Sequence, residues 1–268
     1  MSCGNCVKFS VIMPTYNRAF CIEDAINSVL GQTYQNFELI IVDDASTDDT
    51  QDLIESKFKQ EILSGKILYI KLEKNSGVCG ARNRGLDIAH NDWITYCDTD
   101  NKMLQNHLES FKNAILSHPE KLCFYAKIKH RNSGKIYGHD FSRSLLEQGN
   151  YIDMGVFCHN ICLTKKYGGF DTNLRRLVDW DLILTYTKDN KPGFIDMVLL
   201  DYNDDNSFAR ISNSEELFVE QVKRKHNIKF KSNRKYPYWL GCVIAHIIPA
   251  KKNRERFMKH HVRPRKKK

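Results

Sequence analysis

Phe9-Ser10-Val11-Ile12-Met13 runs into Pro14, and Phe37-Glu38-Leu39-Ile40-Ile41-Val42 runs into Asp43-Asp44; between them Ile22, Ala25, Ile26, Val29 and Leu30 recur at helical spacing. An apolar run halted by proline, an amphipathic helix and a second apolar run make a βαβ unit. The pattern repeats outward. A helix from about Asp48 to Phe58, a strand Ile67 to Leu72, a helix from about Cys79 to Ala89 and a strand from Trp93 towards Asp98 follow in turn. Strands alternating with helices at this spacing predict an α/β fold with a mainly parallel, helix-covered sheet. Beyond Asp100 the alternation loosens. A helix near Leu104 to Leu116, a strand Leu122 to Ile128 and a hairpin around Asn132-Ser133-Gly134 come first. A strand near Ile161 to Leu163, the turn Gly168-Gly169-Phe170-Asp171, a helix from about Asp179 and a strand Phe194 to Leu200 follow. This second half is expected to be mixed rather than parallel.

Ligands of such sheets bind outside the carboxyl ends of the strands. Four strand ends here are polar: Pro14-Thr15-Tyr16-Asn17, Asp43-Asp44-Ala45-Ser46, Asn75-Ser76-Gly77 and Asp98-Thr99-Asp100. In the last, two carboxylates one residue apart would point the same way on an extended chain, towards one hard, oxygen-seeking cation. A cation is needed if the ligand is a diphosphate, because unit charges about 4 Å apart at an effective dielectric near 20 interact by roughly 4 kcal/mol. The plainer alternative is a pair of acids solvating a loop. A calcium loop is excluded, since Lys102 and Met103 stand where a ligand oxygen and glycine belong. Gly77, Gly80 and Gly85 do not form a dinucleotide fingerprint, and no P-loop motif occurs.

The chain has 268 residues, 41% of them hydrophobic, enough for a substantial core. Its net charge of +9 is unevenly placed: residues 221–268 carry 17 Lys/Arg and one Glu, leaving 24 Lys/Arg against 31 acids in residues 1–220. An ordinary globular body, 1–220, with a basic segment, 221–268, is expected. Within that segment, residues 236–250 are aromatic and apolar and are flanked by Lys231, Arg234, Lys235, Lys251, Lys252, Arg254 and Arg256. The run is too short to span a bilayer but suits an interfacial helix on an anionic leaflet, so residues 231–268 are expected to meet a membrane surface. A helix packed on the body is the alternative. The nine cysteines, Cys97, Cys123 and Cys162 among them, read as reduced packing residues, and the lone Cys3-x-x-Cys6 lacks a second pair for zinc. With neither an export signal nor a membrane-spanning run, a cytoplasmic protein, peripheral on the inner face of the membrane, is expected.

Taken in order and spacing, Ser10-Val11-Ile12-Met13-Pro14-Thr15-Tyr16-Asn17-Arg18, Gln32-Thr33, Phe37 to Ser46, Gly77, Ala81-Arg82-Asn83, Asp98-Thr99-Asp100, Gly169-Phe170-Asp171 and Asp179-Trp180-Asp181 resemble the family-2 glycosyltransferases of GT-A fold, over roughly residues 9 to 200. The resemblance implies inverting transfer of a sugar from a nucleotide diphosphate, commonly a UDP-sugar, to a hydroxyl. By it, Pro14, Thr15, Tyr16 and Asp44, with Asp43 as a supporting neighbour, hold the base and ribose, and Asn75, Gly77 and Arg82 belong to the donor side. Asp98 contacts the ribose or donor sugar. Asp100 binds Mn²⁺ or Mg²⁺ between the phosphates, with Asp98 and His159 as further candidate ligands. Asn101 stands where a commoner version of the family has another acid.

Inversion also needs a base opposite the leaving group. The family usually presents it in a Glu-Asp pair heading a helix; here the pair is Val178 and Asp179, so the glutamate is missing and Asp179 is the base by resemblance. Asp181 is its rival, but helix residues two apart point about 200° away from each other, so only one faces the cleft. Asp153 and His159 are candidates for the acceptor side. Plainer roles stand beside these: turn and helix-start chemistry for Asp43, Asp44 and Asp179, a solvated charge for Arg82, a satisfied core residue for His159. The implied partners are a nucleotide-sugar donor and a glycan or lipid-linked acceptor of cell-surface polysaccharide synthesis. The alternatives are a nucleotide-sugar-binding protein without catalysis, given Val178, and a nucleic-acid binder through the basic segment. The latter is disfavoured because the aromatics cluster with aliphatics rather than between cations.

Overall fold

The computed structural model describes residues 6–205 and 215–228. The first half is β1 (Phe9–Thr15), α1 (Ile22–Leu30), β2 (Phe37–Asp43), α2 (Thr50–Lys57), α3 (Lys59–Leu63), β3 (Ile67–Lys71), α4 (Gly77–Ile88) and β4 (Trp93–Tyr96). The second is β5 (Lys102–Met103), α5 (His107–Ser117), β6 (Cys123–His130), β7 (Ile136–Tyr137), α6 (Arg143–Leu146), a 3-10 turn Met154–Val156, β8 (Phe157–Asn160), α7 (Ile161–Tyr167), α8 (Val178–Tyr186), β9 (Gly193–Tyr202) and α9 (Glu215–Lys225).

The described strands form one sheet in the order β3-β2-β1-β4-β8-β6-β9-β5, with β7 hanging on β6. Pairings among β3, β2, β1 and β4 are parallel, whereas β8 runs antiparallel to both β4 and β6. The parallel half and the mixed half expected from the sequence are both present. Along β1, Val11 and Met13 enter one apolar cluster with Ile26 and Leu39, while Ile12 enters another with Leu86, Ile94 and Tyr96. A strand buried on both faces reads as a continuous apolar run, and β1 does. Helix α4 reaches the sheet closely because Gly85 has no side chain: a Cβ there would lie 2.6 Å from Ile12 Cγ2.

Gln32, 2% exposed, ties the halves together. Its Nε2 donates to the carbonyls of Leu104 (2.8 Å) and Ser28 (3.0 Å), and its Oε1 accepts from the Leu108 amide at 3.0 Å.

Three expectations are corrected. Ile161 to Leu163 are helical, not extended: the strand ends at Asn160, whose side chain caps α7 by accepting from the Cys162 amide at 3.0 Å. Cys162 is exposed rather than packed. The charge boundary at 220/221 falls inside α9, whose Val219 and Val222 are buried in the same cluster as Trp180, Leu182 and Ile183. The interfacial segment at 236–250 and its cationic flanks, like Cys3, lie outside the described residues. Among the described residues no helix is long and apolar enough to cross a membrane.

Candidate active site

Because β2 lies on one side of β1 and β4 on the other, the chain reverses direction across the sheet between β1 and β4, and a crevice opens at their carboxyl ends. It measures about 450 Å³ and is lined by Pro14, Thr15, Tyr16, Arg18, Asp44, Asn75, Gly77, Val78, Ala81, Arg82, Asp98, Thr99 and Asp100. The four polar strand ends therefore meet as expected.

Each wall has a local cause. Asn17 turns the chain out of β1 in a left-handed conformation (φ 53°) that asparagine tolerates. Its side-chain oxygen accepts from the Thr47 amide at 2.8 Å, and its own amide donates to Ser46 Oγ at 2.9 Å, joining the loops after β1 and β2. That turn presents Tyr16, 45% exposed, on the crevice, and it brings Arg18 there too. The buried hydroxyl of Thr15 has no partner among the described residues. Asp44 accepts from the Ser76 amide (2.7 Å), Ser76 Oγ (2.8 Å) and the Gly77 amide (2.7 Å), fixing the loop that starts α4. Gly77 sits at φ 76°, where a side chain would be strained.

Asp43 is placed differently. It is fully buried, and its two oxygens accept from the Ser46 amide (2.7 Å) and the Tyr69 hydroxyl (2.7 Å), so it braces the loop and does not reach the crevice. The Asp-x-Asp geometry also differs from an extended pair. Strand β4 ends at Tyr96, and residues 98–101 form a turn in which the Asn101 amide donates to the Asp98 carbonyl at 3.1 Å. Asp98 and Asp100 share the crevice because of that turn.

Arg82 organises the acidic side. Only 3% exposed, it forks between Asp179 Oδ1 (Nη1, 2.5 Å) and Asp98 Oδ1 (Nη2, 2.9 Å), which are 33% and 37% exposed. Phe170 and Tyr96 rings lie 5.2 and 5.9 Å from its guanidinium carbon. Burial alone would lower its pKa, but Asp179 and Asp98 raise it, so the guanidinium stays charged. It is a buried bridge, not a solvated helix charge. Burial pushes the Asp179 carboxyl above its usual value, with Arg82 opposing and Asp98 adding to the rise. Asp153, half-buried, accepts from the Gly155 amide at 2.8 Å. Burial, then Asp98 and Asp179, push its pKa up to about 7.

Two candidates leave the site. His159 is fully buried among Tyr96, Phe157 and Tyr186, its Nε2 lies 2.9 Å from the Tyr96 hydroxyl, and burial pushes its pKa down to about 4. A packed, satisfied core histidine of this kind reaches neither a cation nor an acceptor. Asp181, 2% exposed, faces away from Asp179 and binds Lys225 and His226. Of the two, Asp179 is the one bonded to Arg82, a residue of the crevice wall.

For a cation, the fitting groups are Asp98 and Asp100. Among the described residues no three His, Cys, Asp or Glu side chains gather into a self-sufficient site. Two carboxylates lining one crevice suit Mg²⁺ or Mn²⁺, which keep waters and take substrate phosphates as remaining ligands.

Residues 10–167 match the model of glycosyl transferase family 2. The chain belongs to that family. It is 29% identical over 248 residues to the Escherichia coli protein named as a colanic acid biosynthesis glycosyl transferase, WcaA, covering 85% of this chain and 84% of that one. It is 41% identical over 100 residues to the Bacillus subtilis protein named as a teichuronic acid biosynthesis glycosyltransferase, TuaG. That match covers 37% of this chain and 38% of TuaG's own length. The fold matches S. aureus TarS, crystallised with UDP-GlcNAc, with a TM-score of 0.68 at 19% identity, over 96% of this chain and 72% of that one. This family-2 chain thus has the GT-A architecture that the family resemblance implies. Sequence reading missed Arg18, Val78, Ala81 and Thr99 as crevice residues; Arg18 stood in the quoted motif, and only the left-handed turn at Asn17 shows where it goes.

Proposed function

We propose that this chain is a metal-dependent, inverting glycosyltransferase that moves a sugar from a nucleotide-diphosphate donor, a UDP-sugar, to a hydroxyl of a glycan or lipid-linked acceptor in cell-surface polysaccharide synthesis. The observation that carries this reading is the Arg82 fork, which holds an acid of the donor crevice, Asp98, and an acid of the second half, Asp179, on one guanidinium. WcaA and TuaG, both named for surface polysaccharides, support the acceptor class, and the UDP-GlcNAc bound to TarS supports the donor class.

Tyr16 offers a ring face to the base, and Asp44 keeps acceptor capacity for an imide N–H beyond its three internal bonds. Asp100, with Asp98, would hold Mn²⁺ or Mg²⁺, which when bound offsets the charge growing on the leaving diphosphate. Asp179 takes the acceptor hydroxyl's proton as its oxygen bonds the anomeric carbon and the bond to the diphosphate breaks. Its raised pKa suits a base better than an ordinary carboxylate would. Arg82 fixes the orientation of that carboxylate. Residues 231–268 attach the enzyme to the anionic inner face of the membrane through their cations and aromatics.

The experiment is UDP binding with Mn²⁺, followed by thermal shift, beside UDP release from a panel of UDP-sugars. Asp100→Ala is expected to lose Mn²⁺-dependent stabilisation by UDP. Asp179→Asn is expected to keep it and lose turnover by at least 10²-fold, within the usual range for a general base. Near-normal turnover in Asp179→Asn would remove the base assignment, and Mn²⁺-dependent UDP binding surviving in Asp100→Ala would remove the metal assignment.

A further inference from the structure

Helix α8 carries Asp179 on one face and, two residues on, Asp181 on the opposite one. Asp181 is as buried as the core around it, yet it is an acid. Both its oxygens are taken by the C-terminal end of α9 and the residue after it: Oδ2 by Lys225 Nζ at 2.8 Å and Oδ1 by His226 Nε2 at 2.8 Å. Lys225 also reaches Asp171 Oδ2 at 2.7 Å, on the turn whose Phe170 ring lies 5.2 Å from the Arg82 guanidinium. Burial would lower the Lys225 pKa, but Asp171 and Asp181 raise it and keep the ammonium charged.

The start of α8 needs such support. Leu177, directly before it, sits at φ 56°, a left-handed conformation unfavourable for a residue with a branched side chain, and no side chain caps the helix. Strained backbone persists only where its surroundings over-determine it. The donor crevice, by contrast, is built by residues 14–100 and does not touch α9.

We propose that Asp181, Lys225 and His226 form a positioning latch: α9 grips the far face of α8 and thereby holds Asp179 in its bond to Arg82, making residues 215–226 part of the catalytic unit. The Asp181 side chain is only 3% exposed, while those of Lys225 and His226 are 40% and 10% exposed, so removing its partners leaves a buried charge unpaired. The latch therefore fixes the rotation of α8 about its axis, which sets where Asp179 points, while Val219 and Val222 supply the apolar seat.

This inference rests on the reading of Asp179 as the base. The test is steady-state kinetics of full-length Lys225→Ala/His226→Ala, with Lys225→Arg as the conservative control and, as donor, the UDP-sugar that the wild-type chain turns over fastest in a panel. The expected result is a kcat at least tenfold lower, with the donor KM and the UDP affinity within twofold of wild type, and most of the rate recovered in Lys225→Arg. A kcat within twofold of wild type overturns the proposal. So does a UDP affinity that falls in step with kcat, since that marks general support of the fold rather than positioning. If the double variant does not fold, Asp181→Asn, isosteric and uncharged, is read by the same split. Should Asp179→Asn keep its turnover, the base reading fails by itself, and the latch is judged by hydrogen exchange. Amides of α8 are then expected to exchange at least tenfold faster in the latch variant with β1 and β2 unchanged, and unaltered α8 exchange refutes it.

Discussion

Replacing Arg82 by methionine keeps an unbranched stem beside the Phe170 and Tyr96 rings while deleting the charge that joins Asp98 to Asp179. Two carboxylates held on opposite nitrogens of one guanidinium lie roughly 5 to 6 Å apart, and at an effective dielectric near 20 they repel by about 3 kcal/mol. Removing one partner of a buried charge pair costs roughly 3–5 kcal/mol in general. Here the acids are 33% and 37% exposed, so water screens part of that and the lower end applies, about 3 kcal/mol. At roughly 2–4 °C per kcal/mol for a domain of this size, thermal unfolding should drop by about 6–12 °C. The same change has a signature in activity. Arg82 lowers the Asp179 pKa against burial and Asp98, so without it the carboxyl binds its proton more tightly and the acid limb of the kcat/KM profile moves to higher pH. Arg82→Lys, a point charge without the planar fork, should fall between the two in both readouts. Differential scanning fluorimetry and a pH–rate profile on the same preparations measure the pair. An unfolding midpoint within 2 °C of wild type (about 0.5–1 kcal/mol) together with an unmoved acid limb would refute the bridge as the organiser of the site.

Asp153 gives a stability test with a definite sign. Its pKa rises from the usual 3.8 to about 7 on folding. A carboxyl of this kind adds stability below its unfolded pKa and loses it as pH rises through the folded value. Asp153→Asn should therefore unfold at a higher temperature than wild type at pH 8, with the advantage shrinking steadily towards pH 4; a difference independent of pH would contradict the assignment. Membrane attachment is read by flotation with vesicles of phosphatidylcholine and 30% phosphatidylglycerol, roughly the scale at which each cation adds about 1 kcal/mol. The full chain should float and a chain ending at residue 228 should not, and equal flotation of both would rule out the basic segment as the anchor.

What the sequence showed well was the part governed by local pattern. Apolar runs ending in polar residues located β1, β2 and β4, strand-end logic brought Thr15, Tyr16, Asp44, Asn75, Asp98 and Asp100 to one crevice, and the family resemblance added Arg82. What it did not show depended on tertiary context. The Arg82 to Asp179 bond spans 97 positions, and nothing near either residue announces the other. The strand at Phe157–Asn160 is too short and too polar to stand out, and the Asn160 cap, rather than apolar periodicity, made its neighbours helical. Asp43 and Asp44 look alike in the sequence; only the register of β2 turns one inward to Tyr69 and the other towards the crevice. Helix α9 was submerged in a run of charge, although Val219 and Val222 at i and i+3 carry its apolar face.

The amide of Gln32 spans the two halves of the molecule through main-chain atoms alone, the carbonyls of Ser28 and Leu104 and the N–H of Leu108. A joint that recognises peptide groups is indifferent to the side chains borne by the segment it grips. Loops of the second half are thus able to diverge, or be exchanged between relatives, without renegotiating this seam, provided the backbone course through 104–108 is kept. Loss of the glutamine amide would, by the same logic, uncouple every such graft at once.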